Sequence, residues 1–133
     1  MAQTWKDEDI SLDTIKDQTI AVIGYGIQGD AQANNMKDSG LKIIVGLREG
    51  SPTWNKAKED GHEVMSVADA TKQADIVHIL LPDMVQAKVY KEEIGPNLSE
   101  GNALSFSHAA AIYWKWIDAP ENVDLIMVAP KGP

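Results

Sequence analysis

The chain has 133 residues, a formal net charge of −8 and no cysteine. That balance speaks against nucleic acid or an anionic membrane as partner, since both demand clustered positive charge, although a few convergent donors can still hold a phosphate. Without cysteine there is no disulfide, thiolate metal site or cysteine nucleophile, a usage that suits a reducing cytoplasm. Met1 to Asp17 is polar, so no signal peptide opens the chain, and no apolar run reaches membrane-spanning length.

Short β-branched apolar runs then alternate with helical stretches. Strands are predicted at Thr19 to Ile23, Lys42 to Leu47, Glu63 to Met65, Ile76 to Leu80, Ala103 to Phe106 and Leu125 to Val128. Helices are predicted between them, at Gln28 to Ser39, Thr53 to Asp60, Val67 to Gln73, Val85 to Glu92 and Ala109 to Ile117. Ser51-Pro52 reads as the cap and first position of the second helix. Most strands are unbroken apolar segments, as expected where helices cover both faces of a sheet. The predicted fold is α/β, a doubly wound parallel sheet of Rossmann type in a single domain over residues 1–133.

Gly24-Tyr25-Gly26-Ile27-Gln28-Gly29 fits G-x-G-x-x-G, and its position strengthens it, between a predicted strand and a predicted helix. In such a turn the first glycine permits the tight bend and the second lets backbone N–H groups approach a pyrophosphate. The third lets the helix pack close to the strand. The pyrophosphate then lies at the positive end of the helix dipole. The other reading is a plain strand-to-helix glycine turn.

About 20 residues further on, NAD-binding versions place an acid against the ribose hydroxyls. Here the second strand ends Val45-Gly46-Leu47-Arg48, with Ser51 and Thr53 just beyond. A guanidinium fork, two hydroxyls and a helix start suit a dianionic 2′-phosphate. Glu49 is discordant unless it points to solvent. NADP(H) is the favoured ligand and NAD(H) the alternative.

These residues, with several others, resemble ketol-acid reductoisomerase, a branched-chain amino-acid biosynthetic enzyme that uses NADPH and magnesium. The resemblance runs through Ala21-Val22-Ile23-Gly24-Tyr25-Gly26, Gln28-Gly29, Leu47-Arg48-Glu49-Gly50-Ser51, Tyr90-Lys91-Glu92-Glu93-Ile94 and Ile126-Met127-Val128-Ala129-Pro130-Lys131-Gly132-Pro133. It covers nearly the whole chain, which looks like the N-terminal domain of that enzyme. It implies that Gly24, Tyr25, Gly26, Gln28 and Gly29 belong to the cofactor turn and that Arg48, Ser51 and Thr53 contact the 2′-phosphate. It also implies that Leu81-Pro82-Asp83 runs alongside the cofactor, that His108 is the active-site histidine and that Lys131 lies near the catalytic cleft. The helical C-terminal domain, which in the family carries the acidic magnesium ligands, is missing, and no ligand cluster here replaces it. The reaction needs a metal to polarise the substrate oxygens, so the chain alone is not expected to run it.

The sequence departs from the family at Asp30, where a histidine is usual, and at Met84, where a polar residue is common. It departs again after His108, where Ala109-Ala110-Ala111-Ile112-Tyr113 replaces a Gly-Phe-containing segment ending in Ile-His. Tyr113, Trp114 and Trp116 bring three aromatics into four positions, the composition of an interaction hot spot. Three readings stand for this surface, with Met84 beside it. It is family variation or a face left by truncation, a cofactor rim rebuilt into a protein-binding surface, or a self-association patch. His62 and His78 read as structural histidines without metal-ligand spacing, and Ser105 and Ser107 fit no nucleophile elbow.

Overall fold

The computed structural model describes residues 2–130. The elements run β1 (Thr19–Ile23), α1 (Ile27–Asp38), β2 (Lys42–Gly46), α2 (Trp54–Glu59), β3 (Glu63–Met65), α3 (Val67–Gln73), β4 (Ile76–Ile79), α4 (Asp83–Val89), β5 (Ala103–Phe106), α5 (Ala110–Tyr113) and β6 (Asp124–Met127). All strands pair in parallel, in the order β3-β2-β1-β4-β5-β6. The order reverses between β1 and β4, so connections leave the sheet in opposite directions there and open a crevice at the strand C-termini.

The sheet separates two apolar layers. On one face Ile20, Val22, Val45 and Leu47 pack with Ala33 of α1 and Ala57 of α2. On the other, Ala21, Ile23, Ile44, Val77, Ile79, Leu104 and Phe106 pack with Val67 and Ala70 of α3, Ile94, Ala111 and Ile117. All five residues of β1 are buried, as its unbroken apolar pattern requires of a central strand.

The helices depart from expectation in three places. The turn Arg48–Ser51 closes through the Ser51 N–H on the Arg48 carbonyl at 3.0 Å, and α2 begins only at Trp54. Ser51 gives its carbonyl to the Trp54 N–H, but its hydroxyl does not cap the helix. Next, α4 starts at Asp83, then widens into a π turn at Tyr90–Ile94 that buries Ile94. Finally, α5 ends at Tyr113 instead of continuing to Ile117. The Lys115 N–H bonds the Ile112 carbonyl at 3.1 Å and the Trp116 N–H bonds the Ala111 carbonyl at 2.8 Å, with Lys115 at φ 54°. This is a Schellman closure carried by a lysine where glycine is usual. It turns Ile117 into the core and leaves Tyr113, Trp114 and Trp116 outside.

β6 is a second surprise. Its apolar run suggests a buried strand, yet all four residues are exposed, and Val128 beyond it is 56% exposed. Among the described residues no helix follows β6 to cover it.

The glycine turn is held by contact. Gly24 has φ 101°, and a Cβ there would stand 2.9 Å from the Leu80 carbonyl oxygen. A Cβ on Gly29 would overlap the Gly24 carbonyl group outright. Behind this turn a polar bracket ties α1 to α2. The Tyr25 hydroxyl donates to Asp60 Oδ2 at 2.8 Å and accepts from Asn34 Nδ2 at 3.0 Å. Lys56 Nζ reaches Asp30 at 2.6 Å and Asp60 at 3.0 Å. Burial, and then the hydrogen bond to Asp60, pushes the Tyr25 phenol up to about 12. His62 is buried edge-on to the Tyr25 ring, its Nε2 3.0 Å from Asn34 Oδ1 and its Nδ1 without a partner.

Three outcomes follow from this packing. Gly29→Ala is expected to cost at least about 2 kcal/mol, because backbone must move to admit the methyl group; urea denaturation checks this, and an unchanged midpoint refutes it. Lys115→Gly relieves a left-handed strain of about 1 kcal/mol, so the thermal midpoint rises by a few degrees. Burial, and secondarily Lys37, holds the His62 imidazolium below its usual range. The unfolded chain therefore takes that proton first, and stability is lost as pH falls through about 6.5. His62→Phe is expected to flatten part of that slope in a series of melts between pH 8 and 5.

Candidate functional site

The crevice between β1 and β4 is a cleft of about 770 Å³. Gly24, Tyr25, Gly26 and Gln28 form its floor, and Leu47, Arg48, Ser51 and Thr53 close one end. Leu81 and Pro82 line the β4 side. Its volume suits a ligand of nucleotide size. A smaller recess of about 310 Å³ continues from it, sharing Gln28, Leu80 and Leu81 and adding Asp83, Gln86, Ser107 and His108.

The floor is the N-terminus of α1. Gly26 caps the helix with extended backbone. The N–H groups of that first turn have no intrahelical partner, and they add to the positive end of the dipole. A Cβ at Gly26 would meet nothing within 4 Å, so backbone there is open to a ligand. Gly29 does not line the cleft; it works from beneath, by letting α1 rest on the Gly24 turn. Tyr25 lines the cleft, but the residue is only 2% exposed and its hydroxyl is engaged in the bracket behind.

Arg48, Ser51 and Thr53 line the cleft together. Arg48 is exposed at the cleft end, and the Ser51 hydroxyl is buried there without a hydrogen-bond partner. A buried unpaired hydroxyl costs free energy unless an acceptor or donor reaches it, so this atom fits an anionic group entering beside Arg48. Glu49 is exposed and does not line the cleft.

Asp30 bonds Lys56 and Asn34 and lines neither cavity. The departure at this position therefore serves the α1–α2 bracket. His108 stands in the recess with its side chain 70% exposed, Nδ1 3.7 Å from Asp83 Oδ2 and accepting the Ala110 N–H at 3.3 Å. Lys131 lies outside the described residues. Among the described residues, no three His, Asp or Glu side chains gather where they could hold a metal ion.

The aromatic segment lies apart from the site. Tyr113 and Trp114 stack edge to face at 4.8 Å and are 73% and 63% exposed, and neither lines either cavity. Trp116 borders a separate groove with Tyr90 and Asp118. Met84 is 92% exposed and also outside both cavities; Ala109 is exposed, Ala110 half-buried and Ala111 buried. These residues do not rebuild the cleft rim.

Sequence reasoning missed the opposite wall of the cleft: Val67 of α3, Val85, Lys88 and Val89 of α4, and Glu92 and Glu93. Val85 and Val89 share a helix face at i, i+4 spacing, a signal present in the sequence. The π turn that brings Glu92 and Glu93 to the same wall leaves no such mark.

Residues 14–133 match the acetohydroxy acid isomeroreductase NADPH-binding domain. The whole chain is 83% identical to 40% of the ketol-acid reductoisomerase (NADP(+)) of Nitrosopumilus maritimus, and 72% identical to 40% of that of Cenarchaeum symbiosum. Across 96% of its length it superimposes, with a TM-score of 0.92 and 53% identity, on 40% of an NADH-preferring ketol-acid reductoisomerase from an uncultured archean. A semialdehyde dehydrogenase NAD-binding protein from Cupriavidus necator, 22% identical with a TM-score of 0.71, shares the fold. The chain thus spans about 40% of the length of these ketol-acid reductoisomerases. Such identity, maintained from end to end, gives no support to a rim engineered for a protein partner. The chain belongs to the acetohydroxy acid isomeroreductase, or ketol-acid reductoisomerase, family and corresponds to its NADPH-binding domain.

Proposed function

We propose that this domain holds NADPH in preference to NADH and presents it to the reductive half of the ketol-acid reductoisomerase reaction. The observation that carries the preference is the buried, unpartnered Ser51 hydroxyl beside Arg48 at the end of the cleft. Both groups gain by meeting a dianion: the hydroxyl acquires a partner, and the guanidinium makes charge-assisted hydrogen bonds. Thr53 supplies a further hydroxyl from the start of α2. The α1 N-terminus and the Gly24–Gly26 backbone receive the pyrophosphate, and Leu81, Pro82, Val85 and Val89 offer apolar surface to the rest of the nucleotide. When bound, the dinucleotide supplies hydride. Asp83 and His108 flank the recess beside the cleft, where they would face a substrate brought to the bound dinucleotide.

The relatives are more than twice as long as this chain. Metal binding, the alkyl shift and most of the substrate pocket therefore belong to the remainder of the full-length protein in this reading. The exposed faces of β6 and α5 are the surfaces that remainder covers.

Titration calorimetry with NADPH and NADH tests the preference. The native chain is expected to bind NADPH more tightly. Arg48→Ala is expected to weaken NADPH binding by about ten- to a hundredfold, the worth of one or two charged hydrogen bonds, while NADH binding changes by less than about threefold. Equal losses for both cofactors would remove the 2′-phosphate role, and native binding that favours NADH would overturn the preference.

A further inference from the structure

His78 is a polar residue in an apolar layer. It sits on the α1 face of β4, in register with Val22 of β1 and Ser105 of β5, and is 5% exposed. Its Nδ1 lies 2.9 Å from the Ser105 hydroxyl and its Nε2 lies 2.7 Å from Gln32 Oε1. Gln32 Nε2 in turn donates to Gln28 Oε1 at 3.1 Å and to the Ser107 hydroxyl oxygen at 3.2 Å. The chain thus runs from the buried centre of the sheet to two residues that line the small recess, one of which also lines the main cleft.

Its direction follows from the orientation of the Gln32 amide, whose oxygen faces His78 and whose nitrogen faces Gln28 and Ser107. A carbonyl oxygen only accepts, so His78 Nε2 carries the proton it shares with Gln32. The neutral ring then leaves Nδ1 bare, and the Ser105 hydroxyl donates to it. Gln32 spends both amide hydrogens, one on Gln28 and one on Ser107. With its carbonyl occupied, Gln28 has an NH₂ group left over; with its oxygen occupied, Ser107 has a hydroxyl hydrogen left over. Burial lowers the tendency of His78 to take a second proton, which preserves this polarity at neutral pH.

We propose that His78 is a positioning residue whose Nε2–H tautomer turns the Gln28 amide and the Ser107 hydroxyl outward as donors, toward a phosphate or carbonyl oxygen of the ligand where the cleft meets the recess. The nature of that ligand rests on the dinucleotide reading above; the polarity of the chain does not. Gln28 belongs to the first turn of α1, so its outward donor adds to backbone N–H groups that suit an anion. Reversing the chain would present the Gln28 carbonyl oxygen there instead, opposing the same charge.

Two measurements test this. In ¹⁵N-labelled protein without ligand, two-bond ¹H–¹⁵N correlations report the tautomer of each of the three histidines, His78 being assigned by its loss in His78→Gln. The Nε2–H form is expected, and an Nδ1–H or doubly protonated ring overturns the proposal whatever the protein binds. Calorimetry then compares NADPH with 2′,5′-ADP, which has the 2′-phosphate end but no nicotinamide half. His78→Leu is expected to weaken NADPH by about tenfold, the scale of one charge-assisted hydrogen bond, and to leave 2′,5′-ADP within about twofold. His78→Gln, which keeps an N–H donor for Gln32, is expected to recover most of that loss. Gln32→Met breaks the chain nearer the surface and repeats the comparison should His78→Leu not fold. Unchanged NADPH binding, or equal losses for both ligands, overturns the proposal. An Nε2–H ring in a native chain that binds neither ligand sinks the dinucleotide reading and leaves the polarity standing.

Discussion

The contact between Gly29 and the Gly24 carbonyl governs the rest of the molecule. Because neither residue carries a Cβ, α1 settles directly onto the turn that follows β1, and its N-terminus is aimed along the cleft. Only small residues of α1, Gly29 and Ala33, are buried against the sheet, so the helix has little amphipathic character of its own. Its position is set by close approach and by what binds it from the sides. A helix held in this way delivers its dipole and its free N–H groups to one place, which is what an anion site requires.

What binds it from the sides is polar, and differs between its flanks. Toward α2, Asp30, Asn34 and Tyr25 meet Lys56, Asp60 and His62. Lys56 holds the Asp60 carboxyl below the ordinary carboxylate range, with help from the Tyr25 hydroxyl. Lys56 is half exposed, so these ion pairs add little stability of their own, and their value is geometric. The bracket joins the glycine turn, through Tyr25, to the helix that begins next to Arg48, Ser51 and Thr53. Toward β4 and β5, Gln28 and Gln32 meet His78, Ser105 and Ser107. The two ends of the cleft are thus each tied to α1 by a network in which a buried histidine takes part.

The departures from the family pattern divide along the same lines. Asp30 has a partner in Lys56, so its charge is directed into the bracket and away from the cleft. Met84 and the Ala109–Tyr113 segment change surface that lies beside the cleft but does not line it. Tyr113 and Trp114 have no place in the core because Lys115 ends α5 early, and the next turn sends Ile117 inward in their stead.

Much of this was legible in the sequence, because its causes are local. Apolar, β-branched runs marked all six strands to within one residue, most plainly β1, since a strand covered on both faces has no polar side to interrupt it. G-x-G-x-x-G followed by Arg48, Ser51 and Thr53 located the cleft, since short steric rules and charge chemistry act over a few residues. Only the tertiary structure decided whether the Ser51 hydroxyl capped α2 or stayed free, because that depends on how the turn at Arg48 packs. It alone brought Glu92 and Glu93 to the cleft through a π turn, left an apolar β6 uncovered, and joined His78 to Gln28 across 50 residues of sequence. Those outcomes are set by which elements lie side by side in space, and side-chain periodicity carries no record of that.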